Sequence, residues 1–383
     1  MGEQEKHFIA ILGLAKQEAK YSKDKSLDLD IKEGEYFNST DALFSNFENA
    51  EFTLIGTQEA IKEQKLIFES KCSKCNCMAL EYLEEAKIID KNNIEEIFGI
   101  ILETISKSKQ QTIILDITHG LRHQPLIAAF AAMLSKINSD KTIKILFAQE
   151  EEQYKKYRYI YLDSYVDIGI NAILLKGFIE TLSVPKSWSN SDSLIKALQD
   201  FTNSLHANDF KTLFDNLDKA LSEASNKKEL CNGLEELIGK VENILEKFEE
   251  IKDIKEDYKK YYYISEIMYD KGYYLIAVTY AFEALRKFMV EEFQEKGFIK
   301  KGNFSDYQIA QFVQNFVLKV NEPKEILKPD DAKKFIESQQ ELIAIWKNLK
   351  NIRNDIAHIN NNSNHNIKEE LEKFYKVKEN LKI

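Results

Sequence analysis

Asp116, Thr118, His119, Gly120 and Arg122 are crowded into "LDITHGLRHQP", which joins an apolar run to an apolar helical stretch. A plain turn would close such a junction without them. The residue types collected there suit a phosphorylated ligand. Thr118 and His119 offer hydrogen bonds to phosphate, ribose or base edges, and Arg122 offers a charge-assisted fork. Gly120 lets backbone approach a ligand closely. Pro125 fits a first helical turn, where its missing donor costs little. A helix beginning near Leu121 aims free N–H groups and the positive end of its dipole at the loop, which favours an anion. The structural alternative has Thr118 capping the helix, Asp116 tying down the loop and His119 satisfying backbone. No GxGxxG run is present, so an ordinary dinucleotide cofactor is not expected.

A second group lies near the other end of the chain, where "NLKNIRNDIAHINNN" holds Arg353, Asn354 and His358. His titrates near neutrality, and Arg binds phosphate oxygens through its fork. Together they suit metal-independent RNA cleavage, in which a ribose 2′-hydroxyl attacks the adjacent phosphate. The products are a 2′,3′-cyclic phosphate and a free 5′-hydroxyl. Such a reaction needs a proton acceptor, a proton donor and stabilisation of the phosphorane charge. On an ideal helix Arg353 and His358 lie roughly 140° apart, whereas Asn354 and His358 share a face. The run "HINNN" marks a helix end just after His358, where distortion can bring the first pair together. One chain offers a single well-placed His; two chains about a two-fold axis would offer two in one cleft. The alternative is a surface helix in which Arg353 pairs with an acid and His358 caps the end.

Both groups need elements to position them, and the chain is long enough to build two or three domains at 383 residues. Its first part alternates apolar runs with helical segments. "KHFIAILGL", "AEFTLIGT", "AKIID", "TIILDIT" and "KTIKILFAQ" read as strands, and "YRYIYLDSYV" reads as an antiparallel strand at a sheet edge. "QEAIKEQKLIFES", "IEEIFGIILETISK" and "LIAAFAAMLSKI" have helical spacing. That pattern predicts a mostly parallel sheet covered on both faces. Ligands of such sheets bind beyond the carboxyl ends of the strands, and Gly13 and Gly120 both follow apolar strands at such ends. From about residue 168 nearly everything has helical period, so an α/β half precedes an all-α half.

Composition narrows the function classes. Lys and Arg total 53 against 63 Asp and Glu, a net charge of −10, which argues against a broad duplex-binding surface and a stable DNA complex. A small pocket for one nucleotide or a short single strand remains compatible. No apolar run approaches the length of a membrane span, and the acidic start is unlike a signal peptide, so a cytoplasmic chain is expected. Cys72, Cys75 and Cys77 overlap as CxxC and CxC with no second cluster, which reads as reduced thiols rather than a metal site. Glu283 and Arg286 read as an intrahelical pair, and the Tyr-rich stretch "DYKKYYYISEIMYDKGYY" reads as core and helix surface.

"DITHGLRHQP" resembles the D-x-T-H-G-x-R/N-x-x-P motif of CRISPR-associated CARF proteins, and the similarity covers roughly residues 6 to 170. These are Rossmann-like domains that sense cyclic oligoadenylates made by type III CRISPR complexes. In that family the ligand lies across the two-fold axis of a dimer, against the loop after the first strand and the Thr-His-Gly loop. By position the resemblance implies Gly13, Leu14, Ala15, Thr118, His119, Gly120 and Arg122 as ligand-binding residues. The first loop lacks the Thr or Ser often found there. The Arg353–His358 spacing resembles the RxxxxH pattern of HEPN ribonucleases over roughly residues 255 to 383, and CARF followed by HEPN is itself a family architecture.

The resemblance therefore implies a CARF-like domain over 1–175, a helical connector over 176–254 and a HEPN-like domain over 255–383. It implies a homodimeric single-stranded RNA endoribonuclease of type III CRISPR antiviral defence, with Arg353, Asn354 and His358 catalytic and no metal or cofactor. Cyclic oligoadenylate would be its activator, with tetra-adenylate expected ahead of hexa-adenylate. Whether the pocket also slowly cleaves its activator, as in some relatives, stays open. So does a rival in which a catalytically silent, cyclic-nucleotide-sensing dimer acts through a bound partner.

Overall fold

The computed structural model describes residues 6–14, 17–71, 77–185, 192–228, 233–300, 302, 304–357 and 366–383. It forms two compact units that divide between Ile173 and Leu174. The first is built on one sheet. Its strands are β1 (Lys6–Ile11), β2 (Ala19–Lys23), β3 (Gly34–Tyr36), β4 (Glu51–Gly56), β5 (Lys87–Ile88), β6 (Thr112–Asp116), β7 (Thr142–Glu152) and β8 (Lys156–Tyr161). They lie in the order β3-β2-β8-β7-β6-β1-β4-β5. β1 pairs in parallel with β4 and β6, β4 with β5, and β6 with β7.

The central strands are buried on both faces because their side chains alternate between two cores. Phe8, Ala10 and Leu12 pack on one face with residues of α1 (Ser39–Asn46), α2 (Gln58–Lys71) and α3 (Cys77–Glu84). Ile9 and Ile11 pack on the other with Ile97, Ile101 and Ile105 of α4 (Ile94–Lys107) and Ala128 and Ala131 of α5 (His123–Asn138). The α/β expectation holds for this unit, with one correction. β8 is antiparallel to β7 as expected but is not the edge, since β2 pairs beyond it in parallel and β3 closes the sheet antiparallel to β2. β2 is too short and too polar to announce itself. Only Ala19 and Tyr21 of "AKYSK" turn fully inward. The end of the expected strand is also corrected, because Asp163 already begins α6 (Asp163–Thr181).

At the opposite end of β1 from the junction, His7 is buried between hydroxyls. Its Nδ1 lies 2.8 Å from Ser108 Oγ and its Nε2 2.8 Å from Thr53 Oγ1. Burial pushes its imidazole below the ordinary range, opposed by Glu51 and aided by Lys141 and Lys87. The folded chain therefore holds His7 neutral where an unfolded chain would protonate it. Its contribution to stability is present above the unfolded pKa of about 6.5 and is lost as pH falls below that. Urea unfolding at pH 7.5 and 5.5 should show a smaller acid-side loss for His7→Gln than for wild type; equal losses would remove His7 from the account.

The second unit is all-helical among the described residues. It contains α7 (Ser193–His206), α8 (Phe210–Lys228), α9 (Glu235–Lys252), α10 (Asp257–Asp270) and α11 (Tyr274–Glu295). These are followed by α12 (Asp306–Val317), α13 (Pro329–Ser338), α14 (Gln340–Ala357) and α15 (Ile367–Lys376). α11 is the hub, packing on α10, α12, α14 and α15. Phe282, Leu285, Met289 and Phe293 of α11 and Trp346 of α14 are buried there. Among the described residues no helix is long and apolar enough to cross a membrane.

Candidate ligand and catalytic sites

β6 delivers Asp116 to the carboxyl end of the sheet, where the residue is 0% exposed. A buried carboxylate is costly unless hydrogen bonds replace its water. Here three do. Oδ1 accepts from the Thr118 N–H at 3.0 Å and the Thr118 hydroxyl at 2.5 Å, and Oδ2 accepts from the Ser39 hydroxyl at 2.6 Å. Thr118 Oγ1 also accepts from the Ala148 N–H of β7 at 2.9 Å. Its hydroxyl thus fixes the loop between two strands instead of capping α5. Tyr159 of β8 donates to the Ser39 carbonyl at 3.1 Å and lies 2.9 Å from the Ser39 hydroxyl.

His119 Nε2 accepts from the Ser39 N–H at 3.1 Å, which leaves the ring proton on Nδ1. Burial holds the imidazole below its ordinary pKa although Asp116 works the other way, so the ring is neutral near pH 7. The loop after β1 is drawn against this one. A Cβ on Gly13 would stand 2.8 Å from the His119 Cβ and 3.2 Å from the Gly120 nitrogen. Gly120 has φ +99°, and a Cβ there would meet Gln124 Oε1 at 2.5 Å and Ile11 Cγ2 at 2.7 Å. Both positions need glycine for close approach, and Gly120 also for its backbone angle. Gln64 donates to the Gly13 carbonyl at 2.9 Å and accepts from Asn38 at 2.9 Å, tying the first loop to the start of α1.

α5 starts at His123, later than expected near Leu121, because Gln124 Oε1 takes the Leu121 N–H at 2.9 Å and ends the loop there. Arg122 is exposed at that start. A cavity of about 590 Å³ opens beside the paired loops, lined by Leu14, Thr118 and His119 and by Tyr21, Phe147 and Tyr157. Tyr21 stacks on Tyr157, their ring centres 5.1 Å apart and their planes at 16°. Ala15 lies outside the described residues.

Residues 7–152 match the family model described as "CRISPR system endoribonuclease Csx1, CARF domain". The N-terminal unit is a CARF domain. One solved structure similar to the chain is described as "Enterococcus italicus Csm6 bound to cyclic hexa-2'-fluoro-hexa-dAMP". It aligns over 99% of this chain and 93% of its own at 11% identity, with a TM-score of 0.39. No curated protein matches the chain.

The CARF domain brings Gly13, Leu14, Thr118, His119 and Gly120 together at the paired loops, with Arg122 exposed at the start of α5. Sequence reading missed Ser39, Gln64 and Tyr159, which hold the loops in place. Ser39 carried a signal in "FNSTDALF", a capping run ahead of apolar residues, and Asn38 does accept from the Asp41 N–H at 3.0 Å.

In the second unit Arg353 and Asn354 lie exposed near the C-terminal end of α14. Arg353 Nη1 is 3.4 Å from Glu283 Oε1, and its guanidinium lies 4.9 Å from the centre of the Phe282 ring. The other oxygen of Glu283 is 2.6 Å from Arg286 Nη2. Glu283 is thus more than an intrahelical partner, because it also reaches across to α14. α14 ends at Ala357, and His358 lies outside the described residues. Cys72, Cys75 and Cys231 lie outside them too. Among the described residues no group of three or more His, Cys, Asp or Glu is placed to hold a metal ion.

Proposed function

We propose that the protein is a cyclic-oligoadenylate-activated, metal-independent single-stranded RNA endoribonuclease of type III CRISPR antiviral defence. In this reading the CARF domain is the sensor, 176–254 a connector and 255–383 a HEPN-type nuclease, in a cytoplasmic homodimer. The observation that carries it is the pair of glycine-bearing loops locked by buried Asp116 beside a roomy cavity in a CARF domain. Such loops present backbone N–H groups and the start of α5 to an anionic ring. The lining aromatics suit its bases, and Gly13, Leu14, Ala15, Thr118, His119, Gly120 and Arg122 are the proposed contacts.

An apolar face supports self-association. Phe130 of α5 is 59% exposed and Ile94 of α4 is 55% exposed, in a groove also lined by Phe98 and Leu134, and Leu126, one turn before Phe130, is 59% exposed. A patch of that kind is unusual on a protein that stays alone. Two copies about a two-fold axis would bring two Arg353 and two His358 into reach of one RNA strand. His358 would move the 2′-hydroxyl and leaving-group protons, while Arg353 and Asn354 would hold the phosphorane oxygens. The ring must favour one dimer arrangement over another for binding to raise the rate.

The deciding experiment mixes purified protein with labelled single-stranded RNA in EDTA, with and without cyclic tetra- or hexa-adenylate. Activator-dependent cleavage leaving 2′,3′-cyclic phosphate ends is expected, together with a rise in thermal stability. Intact RNA beside a thermal shift would instead identify a binding protein acting through a partner. No shift with either ring would overturn the sensor reading.

A further inference from the structure

Resting on the ribonuclease reading above, we infer that a half-buried groove along α11 receives one nucleotide of the RNA strand, next to the bond that is cut. Glu283, Arg286, Lys287, Val290, Glu291 and Gln294 have the i, i+3, i+4, i+7, i+8, i+11 spacing of one helix face. The first five are half-buried and Gln294 is exposed. A cavity of about 410 Å³ follows this stripe from Arg286 to Gln294. Tyr261 of α10 and Asp306 and Tyr307 of α12 complete its lining. The volume falls in the range of small-ligand pockets.

The chemistry changes along the stripe in the order a nucleotide needs. At one end the Glu283 carboxylate bonds both Arg353 and Arg286. The guanidinium proposed to act on the scissile phosphate and the guanidinium lining the cavity are therefore one carboxylate apart. Arg286 Nε is also buried without a hydrogen-bond partner. Lys287 adds a second cation beside it, so this end suits a backbone phosphate. Next comes an apolar and aromatic stretch at Val290, Tyr261 and Tyr307. The Tyr261 ring is held by stacking on Phe210, with centres 4.4 Å apart, and Tyr307 is 67% exposed. A base between such rings gains stacking whatever its identity.

The far end carries Glu291 and Gln294, whose oxygens and amide can meet the polar edge of a base. At the rise of an α-helix, Gln294 lies roughly 12 Å along the axis from Arg286. That is about the reach from a phosphate across the ribose to the edge of the adjoining base. Burial, with Asp257 and Glu256 nearby, raises the Glu291 carboxyl above its ordinary range, against the pull of Lys287. It therefore repels an incoming strand less than a free carboxylate would.

The test uses full-length wild type, Tyr307→Ala and Glu291→Gln, each saturated with the activating ring, on a random-sequence single-stranded RNA. For Tyr307→Ala, KM for RNA should rise about tenfold while kcat stays within about twofold, as expected for a lost stacking contact. Glu291→Gln should shift which bases flank the cut sites. Melting curves check that both variants fold. Wild-type KM together with unchanged cut sites in both variants would overturn the groove while leaving the ribonuclease reading intact. If wild type itself cuts nothing with either ring, the ribonuclease reading fails and the groove falls with it.

Discussion

Replacing His358 with Ala is expected to slow activated RNA cleavage by at least about 100-fold, the usual scale of a lost acid–base group. Binding of the activating ring, read as a thermal shift, should not change. Arg353→Ala should cause a comparable loss, and Arg353→Lys should rescue little, since an ammonium has no planar fork for two phosphate oxygens. Lys would also leave the Phe282 ring and the Glu283 carboxylate differently engaged, because both are set for a guanidinium. Mixing the two inactive Ala variants tests whether the cleft is shared between chains. Exchange of subunits would put one intact Arg353 and one intact His358 opposite each other, and some activity should return. Full cleavage by His358→Ala would place the chemistry elsewhere.

Asp116→Ala should be the most damaging single change in the CARF domain. It removes the acceptor for the Thr118 N–H, the Thr118 hydroxyl and the Ser39 hydroxyl at once. Leaving buried donors unmatched costs on the order of 1–3 kcal/mol each, so a total near 3 kcal/mol is expected after the relief of an uncharged core. The loop would lose its anchor between β6 and β7, and the thermal shift given by cyclic oligoadenylate should vanish. Asp116→Asn should do less harm, because its amide oxygen can still serve Thr118 and the Ser39 hydroxyl can turn to accept. An Asp116→Ala protein with wild-type urea midpoint and an undiminished shift would show that the carboxylate organises nothing.

The parallel core was readable because its strands are buried on both faces and so written as runs of Ile and Leu, as in "TIILD". The helical half was readable from its period. What escaped was short or polar. β2, β3 and α1 bury few large side chains of their own, and their place is decided by partners such as Tyr157 and Tyr159, far along the chain. Ser39 looks like any capping residue until Asp116, His119 and Tyr159 are seen around it. The Glu283–Arg353 contact joins α11 to α14, and no local spacing announces a pairing between helices. Local period reports which face of an element is buried; it says nothing about which distant residue will meet it.

The strand order also dictates when sensing becomes available during synthesis. β2 and Tyr21 leave the ribosome early, yet the neighbour they need in the sheet is β8, the last strand of the domain to emerge. At the usual pace of translation those residues wait several seconds with only β3 beside them. A nascent or truncated chain ending before β8 would have the glycine loops, Tyr21 and Phe147 but not the Tyr157 ring that stacks on Tyr21, so its cavity wall would be incomplete.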